Sequence, residues 1–163
     1  MRTAALIFTA IFFSFYACSG NKQDDISHRN SNDLQQKSVD SYKPGLGQFM
    51  SGIQAHHAKL WFAGINKNWK LADYEIGEIM ESFDDVKKYC SDRDEVKFLY
   101  LIDPALDTLS HAIRAQDTLR FRSGFTFLTN TCNNCHRSVN YGFNVVKIPA
   151  SPPFSNQDFT PSK

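Results

Sequence analysis

The chain has 163 residues, long enough for one domain with a buried core and too short for two comfortable ones. Its 18 Lys and Arg balance 17 Asp and Glu to a net charge of +1 without a long basic run, which excludes the footprint of a nucleic-acid binder and a polybasic membrane patch. Fourteen Phe, six Tyr and two Trp bring the aromatic share to 13%, suited to surrounding a large flat apolar group as well as to an ordinary aromatic-rich core.

Met1-Arg2 is followed by an uncharged run from Ala4 to Ala17, dominated by Ala, Ile and Phe, and polar sequence begins at Ser19. A short positive region before an apolar stretch of this length has the form of a secretory signal and is too short to span a bilayer comfortably. The signal ends Phe15-Tyr16-Ala17-Cys18; a small residue directly before Cys resembles the processing site of a bacterial lipoprotein, with Cys18 the lipidated first residue of the mature chain. Phe15 departs from the Leu of the commonest pattern. Residues 18–43 carry too few apolar side chains to fold alone and read as a flexible tether, with His28 solvated within it.

Helical periodicity then takes over. Met50, Ile53, His57, Leu60 and Gly64 advance by alternating 3 and 4 within a segment from Gly47 to Lys67. Trp69, Ala72, Ile76, Ile79, Phe83, Val86 and Cys90 do the same after Asn68, a good N-cap, with Asp73 and Glu75 in the early turns, so a second helix is predicted over Trp69 to Tyr89. Ser91 to Glu95 reads as a charged loop, and Val96 to Ile102 as a turn or an extended lead-in. A third helix is predicted over Pro104 to Ala115, capped by Asp103, with the stripe Leu106, Leu109 and Ile113. Asp117 caps a fourth, running to about Asn140, whose stripe is Phe121, Phe125, Leu128, Cys132, Cys135 and Val139. Phe143 to Ile148 alternates like a strand, and the Pro-rich residues 149–163 read as an extended tail. Four amphipathic segments joined by short connections predict an all-α domain, residues 44–148, built as an antiparallel up-and-down four-helix bundle.

The fourth helix carries Cys132-Asn133-Asn134-Cys135-His136. With four Cys and five His in the chain, a chance Cys-x-x-Cys-His has a probability of about 0.002. A redox dithiol wants its first Cys at a helix N-terminus, where the dipole lowers the thiol pKa, and these Cys lie near the other end. Structural zinc wants a fourth ligand at suitable spacing, and the remaining Cys and His are scattered. Covalent haem attachment needs two thiols on one helical face, able to add to the two vinyl groups, beside an imidazole that binds iron from the proximal side. Cys132 and Cys135 are therefore read as attaching one haem c, with His136 as the proximal iron ligand, and the export signal agrees with a haem attached outside the cytoplasm. Cys90, on the stripe of the second helix, reads as a small core hydrophobe.

A c-type motif near the end of the last of four helices resembles the cytochrome c′ family and its low-spin relatives, over residues 44 to about 140. The segments His56-His57-Ala58-Lys59-Leu60-Trp61 and Asn68-Trp69-Lys70-Leu71-Ala72 also look like those of a group of bacterial haem proteins. In the cytochrome c′ family the residue opposite the proximal His comes from near the start of the first helix: relatives with Met there are six-coordinate electron carriers, and those with an apolar or aromatic residue are five-coordinate and open to small gases. Here the matching stretch is Leu46-Gly47-Gln48-Phe49-Met50, which leaves two readings: Met50 as the sixth ligand, or a core Met50 with Phe49 over an open iron face. His57, two turns further on, is a weaker ligand candidate that could instead bond a propionate or a buried carboxylate. His56 points elsewhere and His111 reads as surface. Lys59, Lys67 and Arg122 are candidate propionate partners.

The resemblance implies a monohaem c-type cytochrome carrying single electrons between redox protein partners, held by lipid in the bacterial cell envelope as a periplasmic or outer-membrane lipoprotein. The alternatives are a five-coordinate haem protein binding gases such as nitric oxide, and a haem subunit of a larger respiratory complex. A homodimer, common among such relatives, is compatible. No constellation of nucleophile, base and oxyanion donor is present, which argues against an enzyme.

Overall fold

The structure, a computed structural model, describes residues 43–162; the signal segment, Cys18, His28 and the tether before Lys43 lie outside the described residues. The described chain is all-helical. Helix α1 spans Leu46–Ile65, α2 Trp69–Tyr89, a 3₁₀ helix Asp94–Leu101, α3 Asp103–Arg114 and α4 Thr118–Ser138.

The starts of α2 and α4 follow from their caps. Asn68 accepts a hydrogen bond from the Leu71 amide at 3.2 Å, and Asp117 accepts from the amides of Leu119 and Arg120, both at 3.0 Å, each satisfying donors that a helix N-terminus leaves free. Helix α3 starts differently from the sequence expectation: Asp103 lies inside its first turn, Ile102 precedes it with no side-chain cap, and the carboxylate complements the helix dipole instead.

Three helices end in the same way, without glycine. Lys67, Gln116 and Asn140 adopt the left-handed conformation, with φ of 60°, 54° and 64°. Around each, one backbone amide reaches back three residues and the next reaches back five, as in Asn68 to Ala63 at 2.9 Å, Asp117 to Ala112 at 3.0 Å and Tyr141 to His136 at 2.7 Å. This paired closure satisfies terminal carbonyls and reverses the chain. It also ends α4 at Ser138, two residues before the expected limit, because Asn140 is the reversal residue and not a helical one.

The apolar stripes pack as their periodicity predicts. Helix α1 packs extensively on α2 and α3 on α4, with less extensive contact between α2 and α3 and between α1 and α4. Ile53, Leu60, Ala72, Ile76, Ile79, Phe83, Val86, Leu106, Leu109, Ile113, Phe121, Phe125 and Leu128 are all buried. Cys90 is buried as a free thiol in the core. Residues 94–101, expected as part loop and part lead-in, form a 3₁₀ helix that packs against α4, α3 and α2 and buries Leu99.

One end of the core is built from aromatic rings. Trp61, Trp69, Phe121 and Phe125 form a contiguous group with ring centroids 4.9 to 6.3 Å apart. Gly64 makes that group possible, since a Cβ there would stand 2.0 Å from the Phe121 ring. The tail is anchored at the same end: Phe159 is buried against Phe62 at 5.7 Å, and Asn68 donates to the Thr160 carbonyl.

The strand-like alternation of Phe143 to Ile148 does not become a strand. Among the described residues no backbone ladder forms; the backbone of Val146 pairs with one side chain, Asn133, instead. Glu75 is a charged residue that the fold takes inside. It stands in the early turns of α2, as expected, and is buried between α1 and α2, with His56 Nδ1 2.7 Å from one carboxylate oxygen and Lys59 Nζ 3.9 Å from the other.

Candidate functional site

Beyond Leu128 the buried face of α4 changes from Phe and Leu to Cys, and the packing opens. A cavity of about 470 Å³ lies there, walled by the start of α1, the later turns of α2, the 3₁₀ helix, the last turns of α4 and residues 141–146. Four of the residues singled out from sequence line it together: Met50 from α1, and Cys132, Cys135 and His136 from α4. Alternating steps of 3 and 4 keep the thiols on the inward face, and the start of α1 and the end of α4 border the same cavity.

Both thiols are free. Burial pushes the Cys132 thiol up to about 12, with the neighbouring Cys135 adding to the rise, and burial also raises Cys135. Such thiols stay protonated at neutral pH, the reverse of the depressed pKa that a redox dithiol uses. Among the described residues no three His, Cys, Asp or Glu side chains converge to hold a bare metal ion.

His136 is half-buried at the cavity wall, and its Nδ1 lies 2.7 Å from the Asn144 carbonyl oxygen. A carbonyl can only accept, so Nδ1 carries the proton and donates it, and Nε2 keeps the lone pair. This is the tautomer in which an imidazole binds a metal through Nε2 while a second bond fixes its ring. The chain reversal at Asn140 delivers Asn144 to that position.

His57 also lines the cavity. Its Nε2 lies 2.9 Å from Thr129 Oγ1, whose own hydroxyl donates to the Phe125 carbonyl, so the imidazole donates to the hydroxyl. The ring lies 4.4 Å from that of Phe125, and burial lowers its pKa to about 4, which keeps it neutral. Phe49, the residue expected over an open iron face, stacks on Tyr89 at 6.4 Å and does not line the cavity.

The proposed propionate partners lie elsewhere. Lys59 sits beside Glu75 and over the Phe154 ring, Arg122 lies over Trp61, and Lys67 occupies the exposed turn between α1 and α2. His111, exposed, pairs with Arg114. The cation at the cavity wall is Arg93, held by Glu95 through contacts of 2.6 and 3.2 Å. Sequence reading passed over Arg93 because it lies in a segment without periodicity. Asn144 was missed because it acts through its backbone, which no residue type signals.

No protein-family model, no curated protein and no solved structure matches the chain. No helix among the described residues is long and apolar enough to cross a membrane.

Proposed function

We propose that this protein is a monohaem c-type cytochrome, an antiparallel four-helix bundle that carries single electrons outside the cytoplasm. One observation carries the reading: both thiols of the Cys-x-x-Cys-His motif, its imidazole with Nε2 free, and Met50 border a single cavity. The cavity volume lies in the range of cofactor sites, its wall is mostly apolar, and Arg93 offers a cation for an acidic substituent. Cys132 and Cys135 would hold the group by two thioether bonds, in which each S–H adds across one vinyl double bond and no atom is lost. His136 would bind iron through Nε2. A bound haem c supplies a one-electron iron couple.

The protein's own residues do the rest. The apolar wall excludes water, the Asn144 carbonyl orients the His136 ring, and the thioethers fix the group to a rigid helix. With Phe49 turned to Tyr89, Met50 is the residue of the Leu46 to Met50 stretch favoured as sixth ligand, and a thioether there raises the potential. The signal segment and Cys18 support lipid anchoring in a bacterial envelope, either in the periplasm or at the outer membrane. Redox proteins are the expected partners, whether free or within a respiratory assembly.

The test is production of the full chain alongside c-type haem maturation machinery. Covalent haem should survive denaturing electrophoresis, fall to a single thioether in Cys132→Ala or Cys135→Ala, and vanish in the double variant. A wild-type chain without covalent haem ends the proposal. A low-spin spectrum that turns high-spin in Met50→Ala supports Met ligation. A high-spin wild type, unchanged in that variant, favours the gas-binding alternative.

A further inference from the structure

Asn133 is one of the two unspecified positions of the Cys-x-x-Cys-His motif, yet its side chain makes the most specific contact that α4 has with the segment after it. Its Nδ2 donates to the Val146 carbonyl at 2.7 Å, and its Oδ1 accepts from the Val146 amide at 2.8 Å. One carboxamide thus satisfies both backbone groups of one residue, as a neighbouring strand would. The segment has little else to hold it there: Phe143 and Val145 are 82% and 67% exposed. Its other end is fixed by the Tyr141 amide on the His136 carbonyl at 2.7 Å, and Asn144 is braced by its amide on the Tyr141 carbonyl at 2.9 Å. Residues 141–146 therefore form a strap pinned at both ends, and between the pins the Asn144 carbonyl meets His136 Nδ1.

We propose that Asn133 is a positioning residue for the iron ligand: by clamping Val146 it holds the strap over His136, so that the Asn144 carbonyl fixes the ring and its tautomer. The inference rests on the haem reading of the same site and adds to it the origin of the proximal ligand's orientation and basicity. A carbonyl accepting from Nδ1 makes the imidazole a stronger donor to iron and favours the oxidised state. Releasing the strap removes that donation, and the reduction potential becomes more positive. Asn134 is the internal control, because it is adjacent in sequence, exposed, and its side chain accepts from Arg137 on its own helix.

The experiment compares haem-loaded full-length wild type, Asn133→Ala and Asn134→Ala in the reduced state. It reads hydrogen exchange of the Val146 amide and the His136 Nδ1 proton, together with the reduction potential. Losing both bonds to Val146 is expected to speed both exchanges about tenfold or more and to shift the potential upward, while Asn134→Ala matches wild type. Asn133→Ala with wild-type Nδ1 exchange and potential overturns the proposal. So does an Asn134→Ala effect of equal size. If Asn133→Ala does not mature, Asn133→Asp, which retains an acceptor for the Val146 amide, should shift both readouts the same way by less, and no shift overturns it. A wild-type chain that carries no covalent haem defeats the underlying reading instead; the Val146 amide in the as-purified chain then tests the clamp alone, and unchanged exchange in Asn133→Ala refutes it.

Discussion

The two halves of α4 carry the same periodic stripe and use it in opposite ways. From Phe121 to Leu128 the inward positions hold large side chains, and Trp61, Trp69 and Gly64 close around them with no room to spare. From Cys132 to Val139 the inward positions are small, and the facing helices leave a cavity. Aromatic composition suggested rings around a flat cofactor, yet among the described Phe, Tyr and Trp residues only Phe83 and Tyr141 line the cavity. Trp61, Trp69, Phe121 and Phe125 instead make a solid end, against which the open end can keep its shape. The difference shows that periodicity reports which face is inward, whereas side-chain volume decides whether the inward space is filled.

Truncation at the solid end should have the largest effect. Phe121 is fully buried and touches Trp61, Trp69 and Phe125. Phe121→Ala is expected to cost about 3–5 kcal/mol in chemical denaturation. A loss below about 1 kcal/mol would mean that this end is not the framework described.

Acid should act at the junction of the two ends, where His57 contacts Phe125 on one side and the cavity on the other. Its pKa is about 4 in the fold against 6.5 for the free side chain. As pH falls below 6.5 the unfolded chain takes up a proton that the folded chain refuses, so stability falls between pH 6.5 and 4 and is unaffected by this group above that window. The full difference is about 3 kcal/mol. Stability measured against pH should lose this slope in His57→Leu; an identical slope in the variant would assign the acid sensitivity to another group.

The helices were legible in the sequence because alternating steps of 3 and 4 place residues on a common face whatever the neighbours are. The inward placement of Cys132 and Cys135 followed from the same pattern, and Met50 borders the same cavity as these thiols. What escaped is what periodicity does not encode. Glu75 is a charged residue outside the apolar stripe, and the tertiary position of His56 and Lys59 makes its burial tolerable. The helix ends escaped because Lys67, Gln116 and Asn140 take a conformation usually signalled by glycine. The strap alternates like a strand, but a strand needs a partner, and the partner here is one side chain.

Gly64 offers a gentler disturbance of the solid end than removal of Phe121. Gly64→Ala drives a methyl group into the Phe121 ring and is expected to cost about 2 kcal/mol, by the overpacking that dense cores resist. Gly64→Ala combined with Phe121→Leu should lose less than the two single changes added together, because the smaller side chain vacates the volume the methyl needs. Strict additivity in that cycle would place the two residues out of contact.

The smallest expected change tests the open end by closing it. Cys132 is half-buried at the cavity wall, so Cys132→Leu can turn its larger side chain into the cavity without displacing packed atoms. Added apolar burial of that kind is expected to stabilise the unloaded chain by about 1 kcal/mol, while removing one of the two thiols proposed to attach haem and occupying space the haem would need. Thermal unfolding and haem staining should therefore move in opposite directions, with a midpoint several degrees higher and attachment lost or sharply reduced. The same exchange at the solid end has no room to be favourable. If Cys132→Leu instead destabilised the unloaded chain as overpacking does, the last turns of α4 would be as densely packed as the first, and the cavity would not be the feature that separates them.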